Sequence, residues 1–129
     1  MNNEKVFNSH SCFFSYLYAK ELLDTRPIQF ERYKDSDQFD ADLQKKFPLG
    51  SDMREMMNLF EQSGARCKDV SHVSIWKKEV EKYGLVYWCK YNSDLLSFDP
   101  LGVYQIWFMG DKNYKLLYID GVKTTALVT

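Results

Sequence analysis

The sequence predicts an α+β fold, with two to three N-terminal helices packed on one face of a three- to four-stranded antiparallel sheet. Three observations carry that prediction. Apolar residues at helical spacing are confined to the first half of the chain, whereas most strong strand formers lie between Lys82 and Asp120, in KYGLVYWCKYN and VYQIWFMGDKNYKLLYID. The breaks between these strand segments are too short for a crossover, so consecutive strands must be antiparallel neighbours. Helices early and strands late is the α+β order. At 129 residues the chain is read as a single domain over 1–129, long enough to bury a core without metal or disulfide support.

Residues 1–9 are polar and expected to fray. Ser11 to Asp24 (SCFFSYLYAKELLD) has helical spacing, is capped by Ser9 or Ser11, and is stopped by Thr25-Arg26-Pro27. Ile28 to Asp35 is a connector pinned by Phe30 and Tyr33. Phe39, Leu43 and Phe47 recur every four residues and predict a helix over Asp37 to Phe47 with Ser36 as cap. After the Pro48-Leu49-Gly50 break, Ser51 is the expected cap of a helix DMREMMNLFEQS that carries Asp52 and Glu55 in its first turn, where the helix dipole favours acids. Met53, Met56, Met57 and Phe60 form its apolar stripe, expected to be core, and Gly64 stands where a helix closes through a left-handed residue.

From Ala65 the pattern is mixed. Cys67, Val73 and Ile75 suggest extended segments, and IWKKEVEKYG a helical turn ended by Gly84. Three strands follow: Leu85 to Asn92, Val103 to Met109, and Tyr114 to Asp120, the last two joined by the turn residues Gly110-Asp111-Lys112-Asn113. Asp120-Gly121 is a further turn signal, after which Val122 to Val128 is either a fourth strand or a tail.

The formal charge of −1, with 17 basic residues interleaved among 18 acidic ones, argues against a nucleic-acid partner. No apolar run reaches the length of a membrane span. MNNEKVFNSHSCFF lacks the apolar core of an intact leader, so the expected location is the cytoplasm, or the periplasm if a leader has been removed. Three cysteines allow a Cys67–Cys89 disulfide with Cys12 left over, or three buried thiols in a reducing compartment.

No catalytic constellation emerges. His10, Cys12, Cys67, His72 and Cys89 fit no zinc spacing, so neither a metal nor a cofactor is expected. Cys67 with His72 is the one local nucleophile–base pair, and it lacks a supporting motif. Asp35, Asp37, Asp40 and Asp42 read as a solvated helix face. The glycines are scattered singly, with no phosphate-cradling loop.

The aromatic strands are the informative feature. Alternation places Leu85, Tyr87, Cys89 and Tyr91 on one face and Val86, Trp88 and Lys90 on the other. It sets Tyr104, Ile106 and Phe108 against Val103, Gln105, Trp107 and Met109, and Tyr114, Leu116 and Tyr118 against Lys115, Leu117 and Ile119. Both faces thus carry large apolar side chains. Either both are covered, or one presents an aromatic patch to a protein partner, for which Tyr87, Trp88, Tyr104 and Trp107 are the candidate residues.

FPLGSDMREMMNLFEQSGARC, then YWCKY and a YQIWF…YKLLYID hairpin, resembles small bacterial envelope proteins of the outer-membrane lipoprotein SmpA/OmlA type and the related β-lactamase-inhibitor-like domains. The likeness covers roughly Pro48 to Asp120. The chain departs from that pattern in its long helical N-terminal third and in having no lipobox before Cys12. The resemblance implies a non-enzymatic, protein-binding role, often outside the cytoplasm. The expected function is therefore a small bacterial inhibitor, immunity-type or envelope-associated binding module. Its partner is another protein, or a second copy of itself through the open sheet face. The alternative is a small-molecule binder or enzyme with a pocket between helices and sheet.

Overall fold

A computed structural model of the chain describes residues 24–94, 96–97 and 99–125. The helix expected over Ser11 to Asp24, the fraying expected over 1–9 and the stretch 126–128 lie outside or at the edge of these residues, and Asp24 itself is irregular backbone. A 3-10 turn at Phe30–Arg32 leads into helix α1, Ser36–Lys46, and helix α2, Met53–Gln62. Strand β1, Arg66–Asp69, follows, then a 3-10 turn at Ser74–Trp76 and the short helix α3, Lys77–Lys82. Strands β2, Leu85–Asn92, β3, Gly102–Gly110, and β4, Leu116–Thr125, complete an antiparallel sheet of order β1-β2-β3-β4.

The helix caps fall one residue earlier or later than the serines suggest. Asp35 caps α1 by accepting from the Gln38 amide, and Asp52 caps α2 by accepting from Arg54. A carboxylate at this position satisfies an orphan amide and also meets the positive end of the helix dipole. Gly64 and Gly84 both adopt positive φ, 101° and 130°, which ends α2 and α3 through a conformation that disfavours a side chain.

The sheet is covered on one face by α1 and α2. Phe39 and Leu43 of α1, with Met53, Met56 and Phe60 of α2, form a single core with Tyr87, Cys89 and Tyr91 of β2, Tyr104, Ile106 and Phe108 of β3, and Leu116 and Ile119 of β4. Phe30 stacks on Tyr91 at 4.3 Å between ring centroids, and Phe39 meets Tyr104 edge-on at 5.4 Å. The methionine stripe is core, as its helical spacing predicts: Met53 and Met56 are fully buried.

Three expectations are corrected. Asp120-Gly121 is not a turn, because β4 runs through it unbroken. Gly121 is there for proximity: a Cβ at that position would stand 2.4 Å from Leu43 Cδ1 and 3.0 Å from Phe39 Cε2. Its bare Cα lets α1 lie directly on the strand. Val122 to Thr125 are strand, but as the continuation of β4, and the fourth strand is β1, whose charged sequence RCKD shows in a hydrophobicity-based reading only through Cys67. The facing of the last strand also shifts. A register irregularity at Met109/Gly110 pairs Gly110 with Leu116 and Met109 with Tyr118, so Leu116 and Ile119 both point into the core while Leu117 and Tyr118 are exposed.

Candidate functional site

The four candidate aromatic residues divide between the two faces of the sheet, as alternation assigns them. Tyr87 and Tyr104 pair with Phe108 and Tyr91 and are buried beneath the helices; they belong to the core and leave the candidate surface. Burial pushes the Tyr87 hydroxyl up to about 12, and holds that of Tyr104 well above the ordinary range with help from the hydrogen bond it donates to Asp99. Trp88 and Trp107 stand directly opposite each other across β2 and β3 on the far face, each half-buried.

Among the described residues, that far face is covered at one end only. The segment from β1 to β2 folds back so that Val70, Trp76, Val80 and Tyr83 enclose Val86 and Met109 in a second, smaller cluster. Beyond it Trp76 meets Trp107 at 6.5 Å, and Tyr83 meets Tyr118 at 6.2 Å. These two pairs border an open groove of about 450 Å³ floored by Met109, with Lys78, Lys82, Glu79 and Asp120 at its margin. The Asp120 carboxyl is raised above its ordinary range by burial and by Asp40 beside it. Trp88 is fixed by the hydrogen bond its indole Nε1 donates to Gln105 Oε1 at 3.1 Å, and Lys68 lies over its ring at 5.2 Å.

The two edges of the sheet differ. In the register of β3 with β4, Ile119, Gly121 and Lys123 turn their backbone groups away from the sheet. Helix α1 meets them with side chains spaced one turn apart. Gln44 Nε2 donates to the Ile119 carbonyl at 2.6 Å, the Gly121 amide donates to Asp40 Oδ1 at 2.9 Å, and the Lys123 amide donates to Ser36 Oγ at 2.7 Å, while that hydroxyl donates to the Lys123 carbonyl at 3.0 Å. Leu116 is tied likewise to the backbone of Gly50 and Ser51. Asp40 is thus no solubilising charge, and neither is Asp42, which accepts from the Tyr33 hydroxyl.

At the opposite edge the Val70 amide donates to the Val86 carbonyl at 2.9 Å, which fixes the phase of the ladder. Cys67 and Asp69 therefore direct their amides and carbonyls outward, and no protein group among the described residues meets them. Cys67 and Cys89 are opposed in register and joined by a disulfide, which realises one of the two states open to the sequence. Along the same edge Arg66, Lys68 and Lys90 are exposed on the far face, Arg66 directly opposite Lys90. None of them pairs with an acid among the described residues. A shallow recess of about 600 Å³ runs between them and Trp88.

His72 lies exposed in a turn, His10 and Cys12 lie outside the described residues, and the bond to Cys89 removes Cys67 as a nucleophile. Among the described residues no group of three or more His, Cys, Asp or Glu is placed to hold a metal, and no helix is long and apolar enough to cross a membrane. Comparison with protein-family models, with curated proteins and with solved structures returns no match.

Proposed function

We propose that the chain is a non-enzymatic protein-binding module, of the inhibitor, immunity-type or envelope-associated kind, and that it binds through the far face of its sheet. The observation that carries this reading is the pair Trp88–Trp107, opposed on adjacent strands and left half-buried while the other face is closed over by two helices. Tryptophan in a partly desolvated setting supplies much contact area at low entropic cost, which is why it dominates interface energetics. The exposed Tyr118 extends this surface to the rim of the groove.

The test is Trp88→Ala and Trp107→Ala, made singly and shown to be folded by circular dichroism. Each is compared with the parent chain for retention of a specific, identified partner. Loss of that partner in both variants, with retention in Leu49→Ala at an exposed site away from this face, is the expected result. Folded variants that keep every partner overturn the reading. Sedimentation at two concentrations decides whether that partner is a second copy.

The groove itself favours a second reading. Its volume of about 450 Å³ falls within the range of small-molecule sites, and aromatic walls with a few polar groups at the rim suit an apolar ligand. Thermal-shift screening against a metabolite library separates the two, since a small-molecule site shows stabilising ligands that Trp107→Ala abolishes.

A further inference from the structure

We infer that the partner's contacting element is an extended acidic segment, which adds to the sheet as a fifth strand alongside β1. This rests on the protein-binding reading above and names the edge at which the partner is held. Cys67 and Asp69 present outward-facing amides and carbonyls that no protein group among the described residues meets, and these are the groups that an incoming strand pairs with. The strand is held in place for this by β2 through the Cys67–Cys89 bond, so little ordering remains to be done on binding.

Charge specifies the occupant. A strand added here places alternate side chains on the far face, in line with Arg66 and Lys68. Arg66 and Lys90, directly opposed, repel one another, and an acid inserted beside them relieves that repulsion. The sole acid of β1, Asp69, points to the helix face beside Tyr87 and accepts from the Ser71 amide, so it does not oppose an incoming carboxylate. A second copy of β1 is disfavoured by the same charges, because antiparallel self-pairing sets Arg66 and Lys68 against their own counterparts. A short, cationic edge strand is a known protection against edge-to-edge association. The cations that keep the edge from pairing with its own kind select a strand of opposite sign. The side chain between two acids then points to the opposite face, in line with Cys67 and Asp69.

The probe is a short fluorescein-labelled peptide alternating Glu with Val, titrated into the full chain and followed by fluorescence anisotropy and backbone amide shifts. Saturable binding is expected, with the largest shifts at Cys67 and Asp69. Affinity is expected to fall by about tenfold or more in Arg66→Glu and in Lys68→Glu, and these exposed positions leave the fold intact by circular dichroism. The doubly reversed variant should instead bind a Lys-Val peptide. N-methylation of alternate peptide amides should abolish binding. No binding of the Glu-Val peptide, or equal binding of its N-methylated form, overturns the proposal. So does equal binding of a single-stranded oligonucleotide, or a self-association that charge reversal at Lys68 removes. A partner that is lost in Trp107→Ala but kept in Lys68→Glu also overturns the edge while leaving the face intact, whereas a partner kept in both sinks the two readings together.

Discussion

The two edges of this sheet solve the same problem in opposite ways. Each edge strand leaves a row of backbone donors and acceptors without a strand partner. At β4, helix α1 supplies Ser36, Asp40 and Gln44 at one-turn spacing, and each reaches a backbone group that the sheet cannot satisfy. At β1 no element among the described residues does this, and the edge is left short, cationic and cross-linked to its neighbour. The difference teaches that sealing an edge needs more than proximity. It needs a polar stripe whose helical repeat matches the two-residue repeat of the strand: a turn of α-helix rises about 5.4 Å, close to the span of two strand residues. It also needs a residue small enough to let the helix down onto the strand, which is Gly121.

The largest expected effect bears on the open edge. Reducing the disulfide, whose cysteines are separated by 22 residues, should cost about 3 kcal/mol by the loop-closure relation. Thermal melts with and without a phosphine reductant check it, and amide exchange should show β1 loosening while β4 is unchanged. Unchanged melting would mean that β2 pairing alone holds the open edge.

Next comes the sealed edge. Gly121→Val should lift α1 from β4 and cost about 2 kcal/mol through overpacking against Leu43 and Phe39, read by chemical denaturation. Gly121→Val should also expose the β4 backbone and make the two edges alike, which tests the comparison itself.

Ser36→Ala is milder. It removes a hydroxyl that both donates to and accepts from Lys123, so about 1 kcal/mol of destabilisation is expected, with faster exchange at the Lys123 amide and none at β1. A variant whose Lys123 amide remains protected would show that α1 seals the edge by burial rather than by hydrogen bonding.

The smallest effect is electrostatic. Asp120 has its carboxyl raised by burial and by Asp40. A carboxyl whose folded value lies above its unfolded value favours folding at low pH, and that contribution is lost as pH rises through the folded value. Asp120→Asn should therefore raise the melting temperature at neutral pH, with a gain that shrinks as the solution is acidified. A gain that does not vary with pH would assign the effect to packing.

Much of this fold was legible in the sequence where local rules and tertiary packing agree. Leu85–Asn92 is bounded by Gly84 and a turn, and its alternation assigns Tyr87 and Trp88 to opposite faces correctly. The stripes Phe39/Leu43 and Met53/Met56/Phe60 mark the buried sides of α1 and α2. What alternation does not reveal is which face the helices choose, so the sequence leaves open whether Tyr87 and Tyr104 or Trp88 and Trp107 stay accessible, and the fold buries the tyrosines. Strand β1 shows in the sequence only as an extended tendency at Cys67, because an exposed edge strand has no apolar alternation to display and its existence depends on pairing with β2. Asp120-Gly121 carries a turn signature for a residue whose real role is close helix approach. The stripe Ser36, Asp40, Gln44 is visible as polar spacing in the sequence, yet its purpose appears only once β4 lies beside it.

The central claim, that one edge is sealed and the other open, is tested most directly by backbone amide exchange on the free protein. The outward-facing amides of Gly121 and Lys123 should be protected, and those of Cys67 and Asp69 should exchange faster by about a hundredfold or more. Protection at Cys67 and Asp69 equal to that at Gly121 would contradict the claim, since it would mean that the edge of β1 is already filled.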